Sequence, residues 1–379
     1  MDKVKIVVSY RVIQGWRVPV FERLSQLVDV ELLVLHGTSF KGTKVVNYDK
    51  TVSFDHKELP TIPLNIPTKN GRAIMPVSPT IFWELIKFSP DVIICEGASN
   101  LANNVLTFIY KVVFRKKMIW WSLGEIKNRK KSSVRKVLEF PINFLEKRMD
   151  AIISYSSIGA EYFYRLGIKK EKVFVAVNVI DTEKKLNQIS TYDKEKVYAE
   201  SHQNSDFNIL FVGAITKEKR LDILLKAFKK FETDRNQVKL TIIGDGSYLE
   251  EIKQLSVKLE LKNIVFEGQI IEGISKYFLS SDIFVLPGLG GLAVSDSLVH
   301  GVPVIASIAD GCEKDLLESG AGIIEEDMTV DILYAHLKDL HNNPEKLKKM
   351  KEEAVNIINN RYNISNYVQS IKGSIDYVL

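Results

Sequence analysis

Cysteine is scarce in this chain, which has two cysteines and six histidines among 379 residues. Two cysteines exclude a disulfide scaffold, a cysteine-ligated zinc ribbon and an iron–sulfur centre. Cys95 and Cys312 both lie in apolar surroundings, where a free thiol is typically a packing residue. A chain that depends on no disulfide suits the reducing cytosol, so we expect a cytoplasmic protein.

Signals for metal binding, membrane spanning and secretion are also missing. The histidines lack metal-ligand spacing and no Asp-x-Asp motif is present, so we expect neither a metal nor another cofactor. The longest apolar runs, 105–114 and 118–121, are interrupted by basic residues and fall short of the ~20 residues that a membrane helix needs. The first residues lead directly into a strand-like run, so we expect no signal peptide.

The composition that is present indicates an ordinary globular protein. Hydrophobic residues make up 45% and charged residues 26%, which is too apolar for a disordered chain. The formal net charge of +5 is mild and does not by itself indicate nucleic-acid binding. At roughly 150 residues per domain, the length suits two large domains.

Short β-branched runs alternate with amphipathic stretches along most of the chain. The strand-like runs 4–9 and 30–35, with the helix-like stretch 18–28 between them, are examples. This alternation indicates βαβ units around a parallel sheet. The pattern pauses in the polar segment 181–206, which we interpret as a linker with at most a short helix, and it resumes at Phe207.

We therefore predict an α/β fold with two Rossmann-like, doubly wound parallel-sheet domains that face each other across a cleft. The N-terminal domain covers residues 1–183, the linker 184–205 and the C-terminal domain 206–361. The last helix, 362–379, is expected to pack back on the N-terminal domain. Ligands of such sheets bind beyond the carboxyl ends of the strands, so the cleft is the expected site.

Two glycine-containing turns follow strands early in the second half. Gly213 permits a tight exit from a strand, and Lys219 comes just before a helix. A helix N-terminus and an ammonium group together suit a phosphate, although a solvated lysine on a surface loop is an equally good interpretation. The second turn, Gly244-Asp-Gly, is weak evidence because many strand-to-helix turns need glycine for a positive φ.

The strongest segment is 281–307, where a strand leads into Gly288, Gly290 and Gly291 and then into a helix that carries Asp296. Three glycines before a helix expose backbone N–H groups to an anion. A carboxylate at position 296 is placed to accept hydrogen bonds from ribose hydroxyls, as acidic residues do in dinucleotide folds. A turn dictated by packing, with a solvated aspartate, is the alternative.

In this order and spacing, the three segments resemble the C-terminal domain of retaining glycosyltransferases with the two-Rossmann GT-B architecture, family 4. The positions that match that family's pattern are Gly213, Lys219, the turn 244–246 and Asp296. Ala214 stands where the family usually has Arg, and Gly288 stands where it usually has the first Glu of a Glu-x7-Glu segment. The resemblance covers most of the chain and includes Gln14-Gly15 as a glycine-containing first loop.

The resemblance implies a role for each matching residue. Lys219 would hold the diphosphate of a nucleotide-sugar donor, Asp296 would hold its ribose, and Gly15 would let the first loop approach the diphosphate. Arg17 either reaches phosphate or caps the helix that follows it. The candidate donor-binding residues are Gly15, Arg17, Gly213, Lys219, Gly244, Gly288, Leu289, Gly290, Gly291, Leu292 and Asp296.

Two carboxylates in the N-terminal half are the candidate catalytic groups. Glu96 ends a strand, which would place it at the cleft, where it could contact an acceptor hydroxyl. Glu125 follows another strand, in a loop where many relatives place a His near the acceptor and this chain has Leu123. An acid that stabilises a helix N-terminus is an equally good interpretation of Glu125.

Residues 127–136 form a strongly basic run without an acid. Its basic residues are Lys127, Arg129, Lys130, Lys131, Arg135 and Lys136. Two interpretations are open, a solvated face and attraction to anionic lipid, which is worth about 1 kcal/mol per basic residue near the surface. No aromatic residues are interleaved, so we expect no nucleic-acid partner.

The resemblance implies a retaining, hexosyltransferase-type enzyme. It would move a sugar from a UDP- or GDP-sugar to a hydroxyl of a lipid-linked or polysaccharide acceptor in bacterial surface glycan synthesis. The enzyme would act in the cytoplasm, free or peripheral on the inner face of the cytoplasmic membrane. Ala214 and Gly288 keep two alternatives open, a non-catalytic GT-B subunit that binds a glycan or a partner, and a GT-B epimerase that acts on a nucleotide sugar.

Overall fold

The chain forms two compact units, each built around its own parallel β-sheet. A computed structural model describes residues 3–40, 46–68, 71–125, 136, 138–235 and 237–379. Unit 1 combines Met1–Val177 with Ser365–Leu379, and unit 2 is Asn178–Ile364. Two Rossmann-like sheets are what the alternation of strand-like and helix-like stretches predicts.

Unit 1 is a parallel sheet with one added hairpin. Its strands are β1 (Val4–Tyr10), β2 (Val30–Gly37), β3 (His56–Leu59), β4 (Ile62–Thr68), β5 (Gly71–Val77), β6 (Val92–Glu96), β7 (Lys117–Ser122), β8 (Ala151–Ser154) and β9 (Val173–Val175). The parallel sheet has the order β3-β2-β1-β6-β7-β8-β9, and β4 pairs antiparallel with β5. The strand order reverses between β1 and β6, so the turns after these two strands border the crevice where such sheets bind ligands.

Helices of unit 1 cover the sheet and bury its apolar strands. They are α1 (Val18–Ser25), α2 (Ile81–Phe88), α3 (Leu101–Phe114), α4 (Glu139–Glu146) and α5 (Ser157–Arg165). Trp120 of β7 and Phe163 of α5 are fully buried in one core cluster. The last segment also belongs to this unit, since Lys372 Nζ lies 2.9 Å from Asp29 Oδ2.

Unit 2 repeats the plan with six parallel strands. They are β10 (Phe207–Val212), β11 (Val238–Ile243), β12 (Ile264–Gly268), β13 (Ile283–Leu286), β14 (Val304–Ser307) and β15 (Gly322–Glu325). Their order is β12-β11-β10-β13-β14-β15. β10 and β13 are nearly continuous runs of large apolar residues, as expected for strands that are covered on both faces. The strand order reverses between β10 and β13, which marks the ligand-binding edge of this sheet.

The helices of unit 2 lie before, between and after these strands in sequence. They are α6 (Thr182–Ile189), α7 (Lys194–Ser201), α8 (Leu221–Asp234), α9 (Leu249–Lys258), α10 (Ile274–Leu279), α11 (Ala293–Val299), α12 (Cys312–Leu317), α13 (Val330–Asn342) and α14 (Pro344–Asn360), and the chain ends in α15 (Ile364–Val378). A 3-10 turn at Lys217–Lys219 precedes α8. Within the described ranges, no helix is both long enough and apolar enough to cross a bilayer.

The polar segment expected to be a linker contains two helices, α6 and α7, and both lie in unit 2. Each begins at an aspartate whose side chain accepts a backbone hydrogen bond: Asp181 from the N–H of Lys184 and Asp193 from the N–H of Lys196. Such caps satisfy otherwise unpaired helix N–H groups and typically contribute about 1 kcal/mol. The expectation of at most a short helix was therefore wrong, because the apolar pattern is weak while the capping signals are strong.

Candidate functional site

The turns after β10 and β13 meet at the ligand-binding edge of unit 2. Gly213 follows β10 directly, and Gly288 follows β13 after Pro287. The backbone N–H of Leu289 donates to the carbonyl oxygen of Glu218 at 2.9 Å, so the turn that contains Lys219 packs on the glycine loop. We call residues 288–292 the glycine loop.

Lys219 is held against this glycine loop. Its Nζ donates to the carbonyl oxygens of Leu289, at 2.6 Å, and Gly290, at 2.8 Å. An ammonium group carries three N–H donors, so these two bonds leave one donor for a further acceptor. Burial lowers the pKa of Lys219, while the nearby carboxylates of Asp310 and Glu313 act in the opposite direction.

Gly288 lies too close to its neighbours to carry a side chain. A Cβ at this position would fall 2.1 Å from the carbonyl oxygen of Glu218 and 2.6 Å from the carbonyl carbon of Lys219. Both neighbours are backbone atoms, which cannot rotate away as a flexible side chain can. The close approach of the Lys219 turn therefore requires glycine at position 288.

Glu313 is a buried carboxylic acid beside the same loop, and it lies outside the motifs predicted from the sequence. Its residue is 1% exposed. Oε2 accepts from the backbone N–H groups of Gly311, at 3.0 Å, and Ala309, at 3.4 Å. Oε1 has no hydrogen-bond partner among the described residues. Burial, with the nearby Asp310 carboxylate, raises the pKa of Glu313 to about 8.

Asp296 lies in the first turn of α11, directly after the glycine loop. Its Oδ1 is 3.5 Å from Nζ of Lys185 in α6, which is long for a hydrogen bond. Burial raises the pKa of the Asp296 carboxyl, and Lys185 opposes this rise. Burial also lowers the pKa of His300 to about 4, so the neutral ring donates from Nδ1 to the Asp296 carbonyl oxygen at 2.6 Å.

A cavity of about 410 Å³ opens at the ends of β10, β11 and β12. Gly213, Ala214 and the turn 244–246 are among its lining residues. Gly244 has φ +143°, and a Cβ there would lie 1.9 Å from the carbonyl oxygen of Gly213. The two glycine turns predicted from the sequence thus pack directly on each other.

Glu96 lies at the end of β6, in the corresponding crevice of unit 1, and its carboxylate is fully engaged. Oε2 accepts from the backbone N–H of Arg11 at 2.8 Å, and Oε1 accepts from Arg11 Nε at 2.9 Å and from Ser99 Oγ at 2.7 Å. These bonds tie the turn after β1 to the turn after β6. The strand-end position was expected, whereas a catalytic role for Glu96 stays a prediction.

Arg17 is completely buried within unit 1, at the start of α1. Its Nε donates to Tyr10 Oη at 3.1 Å, and its NH1 donates to Tyr367 Oη. Aromatic rings enclose the guanidinium, among them those of Trp16, Trp121 and Tyr155. Cation–π contacts and burial of this kind fix the start of α1 to the C-terminal helix. The placement argues against the predicted phosphate contact, because the aromatic cluster would have to open first.

The remaining candidates in unit 1 are Gly15, Glu125 and the basic run. A Cβ on Gly15 would lie 3.0 Å from the ring of Tyr48, so this first loop is packed closely. Glu125 is partly exposed, and its Oε2 lies 3.5 Å from Arg165 NH2. In the basic run, Lys136 is described and exposed. The positions that lie outside the described residues are Lys127, Arg129, Lys130, Lys131 and Arg135.

Both cysteines are free and buried, as expected from their apolar surroundings. Within the described part of the chain, no cluster of three His, Cys, Asp or Glu side chains has the arrangement of a metal site. The groups with unusual environments at the glycine loop are instead an ammonium, Lys219, and two carboxyls, Asp296 and Glu313.

The arrangement in unit 2 corresponds to a known family. Residues 193–356 match the model of the family described as glycosyl transferases group 1. The match covers less than half of the chain, and we call residues 193–356 the group 1 segment. The match confirms the resemblance to glycosyltransferases that the sequence motifs indicated.

Individual proteins are also similar in sequence to parts of this chain. An uncharacterized 41.2 kDa protein in the cps region of Klebsiella pneumoniae is 27% identical over 248 residues, which are 63% of this chain and 65% of that protein. The alpha-monoglucosyldiacylglycerol synthase of Streptococcus pneumoniae is 31% identical over 109 residues, 27% of this chain and 25% of that protein. The chain matches 59–65% of the length of the first three curated relatives.

A solved structure matches the fold over nearly the whole chain. Anabaena Alr3699/HepE in complex with UDP has a TM-score of 0.72, is 17% identical and is covered over 99% of both chains. At this identity the likeness concerns the fold, and it confirms the predicted GT-B class with two Rossmann-like domains. A further structure of the same Anabaena protein holds UDP-glucose.

The group 1 segment departs from the usual family pattern at Gly288 for a reason visible in its packing. The backbone of the Lys219 turn occupies the space that a glutamate Cβ at position 288 would need. A carboxyl group is nevertheless present at the glycine loop, supplied by Glu313 from α12. Its position in the first turn of a helix after a glycine, Gly311, is the sequence signal that could have identified it.

Proposed function

We propose that the chain is a retaining glycosyltransferase that moves a sugar from a nucleoside diphosphate sugar to a hydroxyl acceptor. The observation that carries this proposal is the arrangement of Lys219 on the glycine loop, with two of its three N–H donors committed to loop carbonyls. The third donor is available for a phosphate oxygen. The cavity at Gly213 and Gly244 adjoins the turn that leads to Lys219.

The donor diphosphate would be held without a metal in this proposal. The ammonium of Lys219 supplies positive charge, and the N-terminal turn of α11 supplies backbone N–H groups after a run of glycines. Such fixed donors stabilise the charge that develops on a leaving diphosphate, which is usually the largest contribution to this kind of catalysis. Asp296, in the same first turn of α11, would accept hydrogen bonds from the ribose.

The transfer itself would proceed on one face of the donor sugar. The acceptor oxygen forms the new bond to the anomeric carbon as the bond from that carbon to the diphosphate oxygen breaks. The acceptor proton passes to the departing diphosphate. Because the acceptor enters on the face from which the diphosphate departs, the donor configuration is retained. The predicted catalytic carboxylates, Glu96 and Glu125, belong to unit 1, and Glu96 would act by orienting Arg11 and the turn after β1.

The proposed donor is a UDP-sugar, with a GDP-sugar as the alternative, and the proposed acceptor is lipid-linked or a polysaccharide. The Anabaena protein with the same fold is in complex with UDP in one structure and with UDP-glucose in another, which supports the first choice. The name of the Streptococcus relative, alpha-monoglucosyldiacylglycerol synthase, supports a lipid acceptor. We propose action at the inner face of the cytoplasmic membrane.

Calorimetry with UDP, GDP and ADP tests donor binding, followed by turnover assays with the sugar form of the nucleotide that binds. Lys219→Ala should weaken binding about 10- to 150-fold, because a charged hydrogen bond contributes about 1.5–3 kcal/mol. Lys217→Ala is the matched control, since Lys217 is exposed in the same 3-10 turn. Equal affinities of the two variants would remove Lys219 from the site.

The turnover assays distinguish the alternatives. A glycosyltransferase releases nucleoside diphosphate faster when an acceptor is added and forms a product with the donor's anomeric configuration. An epimerase changes the stereochemistry of the sugar without an acceptor. A non-catalytic subunit binds no nucleotide sugar under any condition, and that result would overturn the proposal.

A further inference from the structure

The outer side of α3 carries an exposed apolar stripe. Val105, Ile109, Val112 and Val113 are 41%, 46%, 60% and 60% exposed, and they recur at the three- and four-residue spacing of one helix face. The opposite side of α3 packs on unit 1 through buried Asn104, Thr107 and Tyr110. Since that buried side already anchors the helix, the apolar stripe is not needed to hold α3 in place.

The neighbouring helix α4 continues the apolar surface. Phe140 is 80% exposed and Phe144 is 39% exposed, one turn apart. The ring centroid of Phe144 lies 6.2 Å from that of Phe108 in α3, so the two helices share one surface. We call Val105, Ile109, Val112, Val113, Phe140 and Phe144 the apolar face. Contiguous exposed apolar surface of this kind marks an interaction site rather than chance exposure.

Basic residues predominate around the apolar face, although Glu139, next to Phe140, is a partly exposed acid. The exposed basic residues that precede or follow α3 and α4 within a few positions are Arg115, Lys117, Lys136, Lys147 and Arg148. Among the described residues from 98 to 150, no acidic residue is exposed. Asp150 is engaged by Lys111, with Nζ 3.0 Å from Oδ2, and Glu146 is buried. The surroundings are therefore cationic and complementary to an anionic partner.

The basic and aromatic side chains at the edge of the apolar face are arranged in a way that suits contact with a bilayer. The guanidinium carbon of Arg148 lies 3.6 Å from the ring centroid of Phe144, so the cation rests on an apolar ring at the edge of the face. Long basic side chains that cover apolar surface can extend their charge towards lipid headgroups while rings and branched side chains enter the acyl boundary. The residues of the face itself are Val, Ile and Phe, apolar side chains that can enter the hydrocarbon boundary of a bilayer.

We propose that the apolar face docks unit 1 on an anionic lipid bilayer, with the basic rim at the headgroups. The inference deepens the proposed action on a membrane acceptor by naming the docking surface. Its rim includes Lys136, the last residue of the basic run 127–136, and basic residues that lie before and after that run in sequence. Apolar insertion supplies affinity, and the rim supplies the preference for anionic lipid.

Vesicle flotation of the full chain tests the docking surface. Wild type should float with vesicles that contain phosphatidylglycerol and remain behind with pure phosphatidylcholine. Val112→Asn with Phe140→Asn should weaken flotation by about tenfold or more, because each loses an apolar contact. The matched control is Val257→Asn with Ile271→Asn, two unit 2 residues that are 77% and 84% exposed, and it should float like wild type.

A second pair of variants tests the rim. Lys136→Gln with Lys147→Gln should weaken flotation about fivefold per lysine, the equivalent of about 1 kcal/mol each. Lys348→Gln with Lys349→Gln, at exposed positions of α14, should have no effect. High salt, which shortens the screening length below about 8 Å, should reduce flotation of wild type.

Four results would overturn the inference: flotation of the apolar variant equal to wild type, equal flotation with neutral vesicles, no flotation at all, or a wild-type dimer in lipid-free sedimentation that the apolar variant abolishes. The last result would assign the face to a second copy of the chain. Calorimetry with UDP on the same lipid-free samples keeps the proposals separate. Nucleotide binding without flotation defeats only the docking surface, and flotation without nucleotide binding defeats only the transferase.

Discussion

A Cβ on Gly290 would lie 1.6 Å from Oε1 of Glu313, so the buried carboxyl packs directly against the glycine loop and leaves no room for a side chain at position 290. The loop carbonyl of Gly290 is simultaneously held by Lys219. Glu313 is fixed in turn by the backbone N–H of Gly311. The shape of the glycine loop therefore depends on an ammonium on one side and a carboxyl on the other.

Replacing Gly290 by alanine should impair the loop without unfolding unit 2. The new methyl group must displace either the Glu313 carboxyl or the loop backbone, and we expect at least about tenfold weaker nucleotide binding, equivalent to about 1.4 kcal/mol. Calorimetry measures the affinity. Adding Glu313→Ala to Gly290→Ala removes the clash and should recover part of the loss. If Gly290→Ala alone binds nucleotide like wild type, the loop does not need this contact.

The raised pKa of Glu313 makes the stability of unit 2 depend on pH. The pKa of this carboxyl rises from 4.5 to about 8 on folding. Between these two pH values the carboxyl is largely neutral in the native protein and largely ionised in the unfolded chain. Glu313 therefore lowers the free energy of unfolding by an amount that is absent below pH 4.5, grows as the pH rises to about 8 and is constant above that value. Glu313→Gln keeps the shape and cannot ionise.

We expect the melting temperature of Glu313→Gln to rise relative to wild type between pH 5 and 8, by an amount equivalent to a few kcal/mol. Glu325→Gln is a suitable control, because that carboxylate is partly exposed and pairs with His336 at a distance from the loop. A difference between variant and wild type that stays constant over this pH range would show that Glu313 is ionised in the native protein.

The buried carboxylate of Asp282 ties α7 to the sheet of unit 2. Oδ1 accepts from Tyr198 Oη at 2.6 Å and Lys351 Nζ at 2.9 Å, and Oδ2 pairs with His202 Nε2 at 2.8 Å. These hydrogen bonds outweigh burial and lower the pKa of Asp282 to about 2. The pairing also raises the pKa of His202.

Asp282→Asn should destabilise α7 by at least about 1.5–3 kcal/mol near pH 5, because it loses charged hydrogen bonds. The Asp282 contribution is present above pH 3.8 and is lost as the pH falls towards 2, while the His202 contribution is present below pH 6.5 and is lost as the pH rises through its raised pKa. Amide exchange of Lys194–Ser201 measures the effect. Asp331→Asn, at an exposed ion pair, should leave this exchange unchanged.

The alternation of apolar runs was enough to predict both parallel sheets, because buried strands leave a strong signal in sequence. It did not predict the β4–β5 hairpin, in which Pro63 and Pro76 occupy paired positions. Proline within a run argues against a strand, since it removes a ladder N–H. The hairpin lies outside the parallel sheet, so the βαβ pattern of the sequence does not predict it.

Candidate site residues that form a local sequence motif could be predicted from the sequence. Contacts between residues that are distant in sequence could not. Local turn chemistry predicts Lys219 and the glycine loop as donor-binding residues, and the structure brings the two together. Lys185, which pairs with Asp296, lay in a segment interpreted as linker, and Glu313 reaches the loop from a different strand-to-helix turn. The position of Arg17 beside Gly15 predicts a phosphate contact or a helix cap. The aromatic rings that surround it come from distant segments, among them that of Tyr367, and could not be predicted from the local sequence.

Asp296 provides the sharpest test of the donor site, because a ribose contact can be separated from a structural role. Asp296→Asn keeps the size of the side chain and removes its charge, which should weaken UDP binding by about 1.5–3 kcal/mol. Asp296→Glu should be milder, since the carboxylate is retained. Asp222→Asn, in the first turn of α8, is the matched control.

The decisive measurement compares UDP with its 2′,3′-dideoxy analogue. Wild type should prefer UDP, and Asp296→Asn should lose that preference, whereas a carboxylate that only pairs with Lys185 would weaken both nucleotides equally. Protonation of the buried Asp296, whose pKa is raised, should likewise reduce the preference as the pH falls. If Asp296→Asn discriminates between the two nucleotides as wild type does, the ribose is held elsewhere and only the assignment of Asp296 is lost.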